Sequence, residues 1–247
     1  MYKNILESIQ HRVSPLPRGP WVMTQKWEHL LFMHLPVPKE VLAQHIPKEL
    51  EVDTFEGQAW ITIIPFMVSD MRLRNLPSIP YLKSYLELNV RTYVRCNGLS
   101  GIYFFSLDAD KILAILGARL ATLPYYYANM TMNEGREDDF HYKSVRKGST
   151  EASFKGSYRP ISTYYYPGND SLSFWLLERY HLWTIKKGVL FRGDIHHKQW
   201  KVHDAKAAVE GFYTLIPFLP DSISKEKLLF HYASSQRVLI WRIKKVE

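Results

Sequence analysis

The chain has 247 residues, of which 46% are hydrophobic and 23% charged, and a formal net charge of +8; this composition excludes a disordered chain. The single cysteine, Cys96, excludes a disulfide framework and a thiolate metal cluster. No apolar run approaches the roughly eighteen residues of a membrane-spanning helix, and the first twenty residues contain no apolar signal-peptide core. We therefore expect a cytoplasmic protein that does not interact with membranes.

The excess positive charge lies mostly in the last quarter of the chain. Residues 182–247 contain twelve Lys and Arg against six Asp and Glu, scattered among expected turns and strand ends. A nucleic-acid interface would instead concentrate these basic residues on one face or carry a recognition motif. The pattern favours a solvated basic surface over a nucleic-acid groove.

Segments rich in Val, Ile, Tyr and Phe, in which apolar and polar residues alternate, predict β-strands along most of the chain. Turn-forming sequences such as NEGRED, PGND and KKG separate them. The predicted strands span residues 59–66, 86–94, 101–107, 125–132, 139–146, 151–158 and 189–196. A closing pair, residues 228–233 and 237–243, is predicted on either side of the turn sequence SSQ.

Three segments carry helical signals. Residues 39–46 form one, and residues 109–120 follow Asp108 as an N-cap and place their leucines and isoleucines on one broad face. Residues 205–212 follow Asp204 with a run of strong helix formers. These helices are few compared with the predicted strands.

The predicted elements indicate a mainly β fold with a few helices, of the α+β class. No repeat, low-complexity stretch or linker interrupts the chain, so we expect one domain over residues 1–247. An antiparallel sheet with this many strands must protect its edges, either by closing into a barrel or by stacking as two sheets. Either arrangement can enclose a pocket.

The sequence LELNVRTYV at residues 86–94 separates into two faces. Glu87, Asn89, Arg91 and Tyr93 point one way, and the alternate residues are mostly aliphatic. Periodicity alone leaves two interpretations open: the polar face lies in water, or it lines a cavity. In a cavity, Glu87 and Arg91 would stand on either side of Asn89, with neighbouring positions about 6.6 Å apart.

The ten histidines predict no metal site. HExxH and CxxC motifs are absent, and the adjacent His196 and His197 would face opposite sides of a strand. We interpret His34, His197 and His231 as pocket or core histidines. Nucleotide-binding and nucleophile-elbow motifs are absent as well, so the sequence predicts neither a metal nor a cofactor.

Several motifs together resemble known families. PRGPW (17–21), VPKEVLAQHIPKELEVD (37–53) and LDADKILAILGARLATLPYY (107–126) follow the order found in acetoacetate decarboxylases. A second set of motifs, including FMHLPVPKEVLAQHIPKELEVDTFEGQAWITIIPF (32–66), LERYHLW (177–183) and DIHHKQW (194–200), resembles more closely an uncharacterised bacterial family of the same superfamily, known only as a domain of unknown function. This second resemblance covers nearly the whole chain. It implies an antiparallel sheet closed into a cone-like, partly open barrel around a central pocket, which favours the cavity interpretation of the 86–94 face.

The resemblance also implies what has changed in the pocket. Acetoacetate decarboxylases carry two adjacent lysines after a proline, of which the first forms a Schiff base with a β-keto acid. The matching positions here are Tyr125 and Tyr126, so both lysines are absent. The glutamate of the family's Tyr-x-Glu segment matches Glu87, its arginine after Pro-Arg-Gly-Pro matches Lys26, and its glutamate after glycine is replaced by Arg119.

We therefore expect a protein that binds or transforms a small carboxylate or carbonyl compound without a Schiff-base lysine. As an enzyme it would have a non-covalent lyase-type or hydrolase-type activity on an organic acid. Its catalytic residues would be Glu87, Arg119 and Tyr125, and its ligand-binding residues Lys26, Asn89, Arg91, Tyr93, Tyr126 and Tyr127. Non-enzymatic binding or sensing of such a ligand is the alternative, and single-stranded nucleic-acid binding through the tyrosines is a third hypothesis. A homo-oligomer is compatible with the sequence.

Overall fold

Thirteen strands of the described chain form one sheet around a central cavity. The structure, a computed structural model, describes residues 2–78, 80–112, 123–136, 138–148, 152–219 and 227–246. The strands are β1 (Met23–Val37), β2 (Glu51–Val52), β3 (Ala59–Leu73), β4 (Ser84–Cys96), β5 (Leu99–Ala109), β6 (Tyr125–Glu134), β7 (Phe140–Arg146), β8 (Ser153–Pro160), β9 (His181–Lys186), β10 (Val189–His196), β11 (His203–Glu210), β12 (Leu229–Ile240) and β13 (Lys244–Lys245). The helices are α1 (Tyr2–Leu6), α2 (Lys39–Ala43) and α3 (Leu172–Leu177), with 3-10 turns at Pro80–Leu82 and Phe212–Leu215.

The strand order explains how the sheet encloses space. Neighbouring strands follow the order β13-β10-β9-β5-β6-β7-β8-β11-β12-β1-β3-β4-β2, and two further pairings join β4 to β5 and β10 to β12. These further pairings bend the sheet back on itself, so its strands partly ring a cavity without forming a regular barrel. Most neighbours are antiparallel, whereas β5 runs parallel to both β6 and β9. The predicted mainly β fold, with a sheet around a central pocket, is confirmed; the predicted cone-like barrel is a partial ring of strands.

The second half of the long strand β1 is buried on both faces, continuously from Leu30 to Leu35. Leu31 and Met33 belong to one hydrophobic cluster, whereas Leu30 and Phe32 belong to a second cluster on the opposite face. Two apolar faces give a nearly continuous hydrophobic run without alternation. For this reason the sequence did not predict β1, although its fifteen residues are central to the sheet.

Two sequence predictions in the last third of the chain are wrong. Residues 205–212 lie mostly in β11, which pairs with β8 from Ala205 to Glu210. Burial largely alternates along this strand, so sheet pairing outweighs the helix propensity of its alanines. The predicted closing pair is one strand, because β1 offers a partner along the whole length of β12 and Ser235 lies opposite Glu28.

The predicted helices have different outcomes. The helix at 39–46 is confirmed as α2, which ends at Ala43. Ala109 is the last residue of β5, so Asp108 is a strand residue and not an N-cap. Most of the helix predicted over 109–120 lies outside the described residues. Among the residues that are described, no helix has the length and apolar character needed to cross a membrane.

Gly101 of β5 permits the close approach of β9. An added Cβ would lie 2.6 Å from the His181 carbonyl oxygen and 2.7 Å from Nε1 of Trp183. The carbonyl cannot retreat without disturbing the parallel pairing of the two strands. We therefore expect Gly101→Ala to lower the free energy of unfolding by about 1–3 kcal/mol in urea denaturation. Gly168→Ala is the control, since nothing lies within 4 Å of its added Cβ, and an equal loss in both variants would contradict the steric explanation.

Candidate functional site

A cavity of about 660 Å³ lies inside the ring of strands. Strands β1, β3, β4, β5, β6, β9, β10 and β12 contribute to its wall, and most of the lining side chains are apolar or aromatic. The aromatic members include Trp27, Phe32, Phe66, Phe104 and Trp200. A cavity of this size and lining suits a small organic molecule.

A row of polar side chains runs along the cavity wall on β4. Glu87, Asn89 and Arg91 line the cavity and expose only 5%, 9% and 9% of their surfaces. They alternate with Leu88 and Val90, which are buried in the hydrophobic cluster on the other face of the sheet. The structure therefore places the polar face of this strand on the cavity wall and not in bulk water.

Glu87 is a buried carboxyl group held by neighbouring polar side chains. The Tyr125 hydroxyl donates to Oε2 of Glu87 at 3.0 Å, and the Tyr142 hydroxyl donates to its backbone oxygen at 2.8 Å. Burial raises the pKa of Glu87 to about 7, although hydrogen bonds from Tyr125 and Asn89 act in the opposite direction. Near neutral pH this carboxyl group can therefore both accept and donate a proton.

Three of the described arginines line the cavity; Arg242 is exposed to solvent, whereas Arg91 and Arg179 are buried. Arg179, the second residue after α3, donates from Nη1 to Oδ2 of Asp53 at 2.7 Å and from Nε to the Trp175 carbonyl at 2.6 Å. Arg91 donates from Nη2 to the Leu176 carbonyl at 3.2 Å. Among the described residues, Nη2 of Arg179 and Nε of Arg91 have no hydrogen-bond partner. The cavity wall thus carries guanidinium groups that its own residues do not fully satisfy.

Tyr93 continues the row on β4 but lies outside the set of residues that line the cavity. It begins a buried hydrogen-bonded chain that runs through Thr62 at 2.5 Å, His34, His231 and Ser173. Burial lowers the pKa of His34 well below its ordinary value and that of His231 to about 4. Both imidazoles are therefore neutral at neutral pH and belong to a satisfied polar core beside the cavity.

The three tyrosines of β6 have different environments. Tyr125 lines the cavity, whereas Tyr126 is exposed on the outside, where the Arg146 guanidinium lies 4.0 Å from its ring centre. Tyr127 packs against the hydrophobic cluster around the cavity but does not line it. Alternation explains why Tyr126 faces away, whereas Tyr127 shares the face of Tyr125 but lies two residues farther along the strand, beyond the cavity lining. Of the three, Tyr125 is the one that contacts Glu87.

The two remaining predicted site residues are not on the described cavity wall. Lys26 is partly exposed, outside the lining set, and forms an ion pair with Glu28. Arg119 lies outside the described residues.

Several polar residues of the wall were not predicted from the sequence. Gln25 donates to the Tyr85 hydroxyl at 3.2 Å and accepts from Nε1 of Trp27 at 2.8 Å. Arg179 and His181 come from the motif LERYHLW, which carried the family resemblance and was the only signal that pointed to them. Gln25 lies in β1, where no alternating pattern distinguished it.

His181 belongs to a hydrogen-bonded chain at the edge of the cavity. Its Nδ1 lies 2.7 Å from Oδ1 of Asp194, and its Nε2 lies 2.8 Å from the Ser14 hydroxyl. Burial would raise the pKa of Asp194, but the hydrogen bond from His181 and the charge of Arg192 bring it below its ordinary value. The ionised carboxylate fixes the imidazole and joins the N-terminal segment to β9 and β10.

A second group of ionisable residues lies behind the wall. His11, Glu178 and His197 place their metal-ligating atoms within 4.8 Å of one another. They come from three distant segments, so no motif spacing predicts them. His196 points elsewhere, towards Arg12 and the Ile5 carbonyl.

Comparisons with known proteins agree with this fold. Among solved structures, the enduracididine biosynthesis enzyme MppR, complexed with the condensation product of pyruvate and imidazole 4-carboxaldehyde, has a TM-score of 0.64 at 10% identity, covering 92% of this chain and 90% of that chain. Acetoacetate decarboxylase from Legionella pneumophila subsp. pneumophila str. Philadelphia 1 has a TM-score of 0.60 at 15% identity, covering 98% and 95%. These likenesses show an acetoacetate decarboxylase-like fold.

The sequence comparisons match a relative and a family over most of the chain. "Uncharacterized protein YqjF" of Bacillus subtilis (strain 168) is 44% identical over 240 residues, which are 97% of this chain and 98% of that protein. The pattern of the DUF2071 family, described as "Uncharacterized conserved protein", matches residues 24–236. The predicted family of unknown function is therefore confirmed, and the chain belongs to the DUF2071 family.

Proposed function

We propose that this chain binds a small organic acid with an apolar body in the cavity, and that Glu87 exchanges a proton with the bound molecule. The expected ligand is a carboxylate, with or without a neighbouring carbonyl group. Its apolar part would contact the aromatic wall, and its charged end would lie near β4 and Arg179.

The observation that carries the proposal is the buried guanidinium of Arg91. It forms no ion pair with any described carboxylate, whereas Arg179 is paired with Asp53. A buried charge is unfavourable unless an opposite charge meets it. A carboxylate ligand matches this requirement, because its two oxygens can accept parallel hydrogen bonds from a guanidinium group.

Glu87 and Tyr125 supply the acid–base chemistry of the proposal. A general acid or base works best when its pKa lies near the working pH, which is the case for a carboxyl group with a pKa of about 7. Tyr125 holds Glu87 in position at 3.0 Å and, as a hydroxyl donor, is suited to stabilise charge on a carbonyl oxygen. No lysine is among the described residues that line the cavity, which supports chemistry without a Schiff base.

Ligand binding is tested first with matched acids and neutral compounds. We expect benzoate and octanoate to raise the Tm of the protein, and benzamide and octanol to have less effect, because only the acids meet the guanidinium charge. Arg91→Gln should weaken the binding of the acids at least about tenfold in calorimetric titration, equal to about 1.4 kcal/mol. Lys26→Gln removes the same charge from outside the cavity wall, and an equal loss in this control would contradict a specific role for Arg91.

Proton exchange distinguishes an enzyme from a binding protein. For a stabilising keto acid, we expect the protein to accelerate exchange of the hydrogens next to the carbonyl group with deuterium, followed by NMR. Glu87→Gln should slow this exchange by about 100-fold while leaving ligand affinity within about tenfold. If the keto acid binds but its hydrogens exchange no faster, the result favours the alternative of a non-enzymatic ligand-binding protein. A borohydride-trapped adduct on any lysine would contradict non-covalent chemistry.

The ionisation of Glu87 also predicts a pH-dependent stability difference. Its pKa of about 7 in the folded protein exceeds the ordinary value of 4.5, so ionisation lowers the free energy of unfolding as pH rises between these values. The glutamine of Glu87→Gln cannot ionise, so the variant does not lose stability in this way as pH rises. We expect the variant to gain about 1–3 kcal/mol relative to the wild type between about pH 5 and about pH 8, measured by urea denaturation. A difference that does not change with pH would show that Glu87 has an ordinary pKa.

A further inference from the structure

Three buried side chains from separate segments converge behind the cavity wall. His11 lies between α1 and β1, Glu178 follows α3 directly, and His197 follows β10 directly. Their exposed fractions are 5%, 3% and 1%, and their ligating atoms all lie within 4.8 Å of one another. The convergence of such groups in the interior requires a physical reason, because burying polar groups is unfavourable unless their bonding capacity is used.

The hydrogen bonds of both imidazoles leave one nitrogen of each available for a ligand. Nε2 of His11 donates to the His197 carbonyl at 3.0 Å, and Nδ1 of His197 donates to the Lys198 carbonyl at 2.7 Å. Nδ1 of His11 and Nε2 of His197 therefore carry the lone pairs. Metal-binding histidines commonly donate their other ring N–H to a backbone carbonyl in this way.

Glu178 has the corresponding arrangement for a carboxylate ligand. The backbone N–H of Trp200 donates to Oε1 at 2.8 Å, and the Tyr180 hydroxyl donates to Oε2. Each carboxylate oxygen retains a further lone pair, so these bonds orient the group without exhausting it. Among the described residues, no hydrogen bond joins Glu178 to either imidazole, although the three groups face one another.

The local electrostatics suit a bound cation. The three side chains are buried together, and a buried carboxylate is unfavourable unless a positive charge lies close to it. The positive charge of Arg12 would repel a metal ion at this site. Its guanidinium is directed elsewhere: it donates to the Ile195 carbonyl and lies 4.0 Å from the Tyr180 ring centre.

We propose that His11, Glu178 and His197 bind one divalent transition-metal ion. Two imidazoles and one carboxylate suit zinc or a similar ion better than magnesium or calcium, which prefer oxygen ligands. Ligands of a tetrahedral zinc ion lie about 3.4 Å apart, so small side-chain movements would complete the site, with water as the fourth ligand. This proposal does not depend on the ligand proposed for the cavity.

The ion would join three parts of the chain that are distant in sequence. It would connect the N-terminal segment through His11 to the end of β10 through His197. It would also fix Glu178, whose neighbour Arg179 and hydrogen-bond partner Trp200 both line the cavity. We therefore assign the ion a positioning and stabilising role behind the wall.

The full-length protein, stripped with a chelator and then titrated with Zn²⁺ or Co²⁺, tests the site directly. We expect one equivalent of Zn²⁺ to bind and to raise the Tm, and Co²⁺ to give the visible absorption of a tetrahedral complex. Glu178→Gln preserves the size of the side chain and an oxygen that accepts from Trp200, and it should weaken Zn²⁺ binding at least about tenfold. His11→Ala should do the same.

Matched controls separate this site from adventitious binding. His141→Ala removes an exposed histidine and should leave the affinity and stoichiometry unchanged. Far-ultraviolet circular dichroism confirms that each variant is folded before titration. Two results would overturn the proposal: a folded wild-type protein that binds no Zn²⁺, or Zn²⁺ binding of unchanged affinity in both Glu178→Gln and His11→Ala.

Discussion

The alternation of β4 between a hydrophobic core and the cavity is the constraint on which the site depends. Leu88 and Val90 are fully buried on one face, while Glu87 and Arg91 lie on the other. A shift of one residue would exchange the two faces and bury the charged groups among aliphatic side chains. Pairing with β3 on one side and β5 on the other prevents such a shift, so the sheet itself fixes the polar wall.

Strand geometry also explains why the charges of the wall do not neutralise one another. Glu87 and Arg91 are separated by two repeats of the pleat, about 13 Å along the backbone, with Asn89 between them. The nearby carboxylate of Asp53 is shared by Arg179 at 2.7 Å and Arg95 at 2.8 Å. The apolar surroundings strengthen the effect of each charge, since solvent screens a buried group poorly.

The segment after α3 links the cavity to the polar cluster behind it. Arg179 lines the cavity, whereas its neighbour Glu178 faces His11 and His197. The Ser171 hydroxyl accepts from the Phe174 N–H at 3.1 Å and fixes the start of this short helix. Two residues adjacent in sequence therefore lie in different environments. We expect a change in the position of Glu178 in the cluster to move Arg179 on the cavity wall as well.

Local patterns predicted much of the fold but only part of the site. Alternation gave β10 its bounds of Val189 to His196, whereas continuous burial concealed β1 and sheet pairing overruled the helical sequence of β11. The 86–94 face was recognised as polar because alternation is a local property. Arg179 and the His11 cluster were missed because their partners come from distant parts of the chain, and Gln25 was missed because β1 shows no alternating pattern.

The sequence by itself determined the two faces of β4, the tyrosines in place of the family's lysines and the membership of an uncharacterised family. These features depend on residue order alone. Only the tertiary structure decided that Glu87 faces an enclosed cavity with Arg91 and Arg179, and that its pKa rises to about 7. Enclosure and desolvation arise when distant strands pair around a common space, and no local pattern encodes that arrangement.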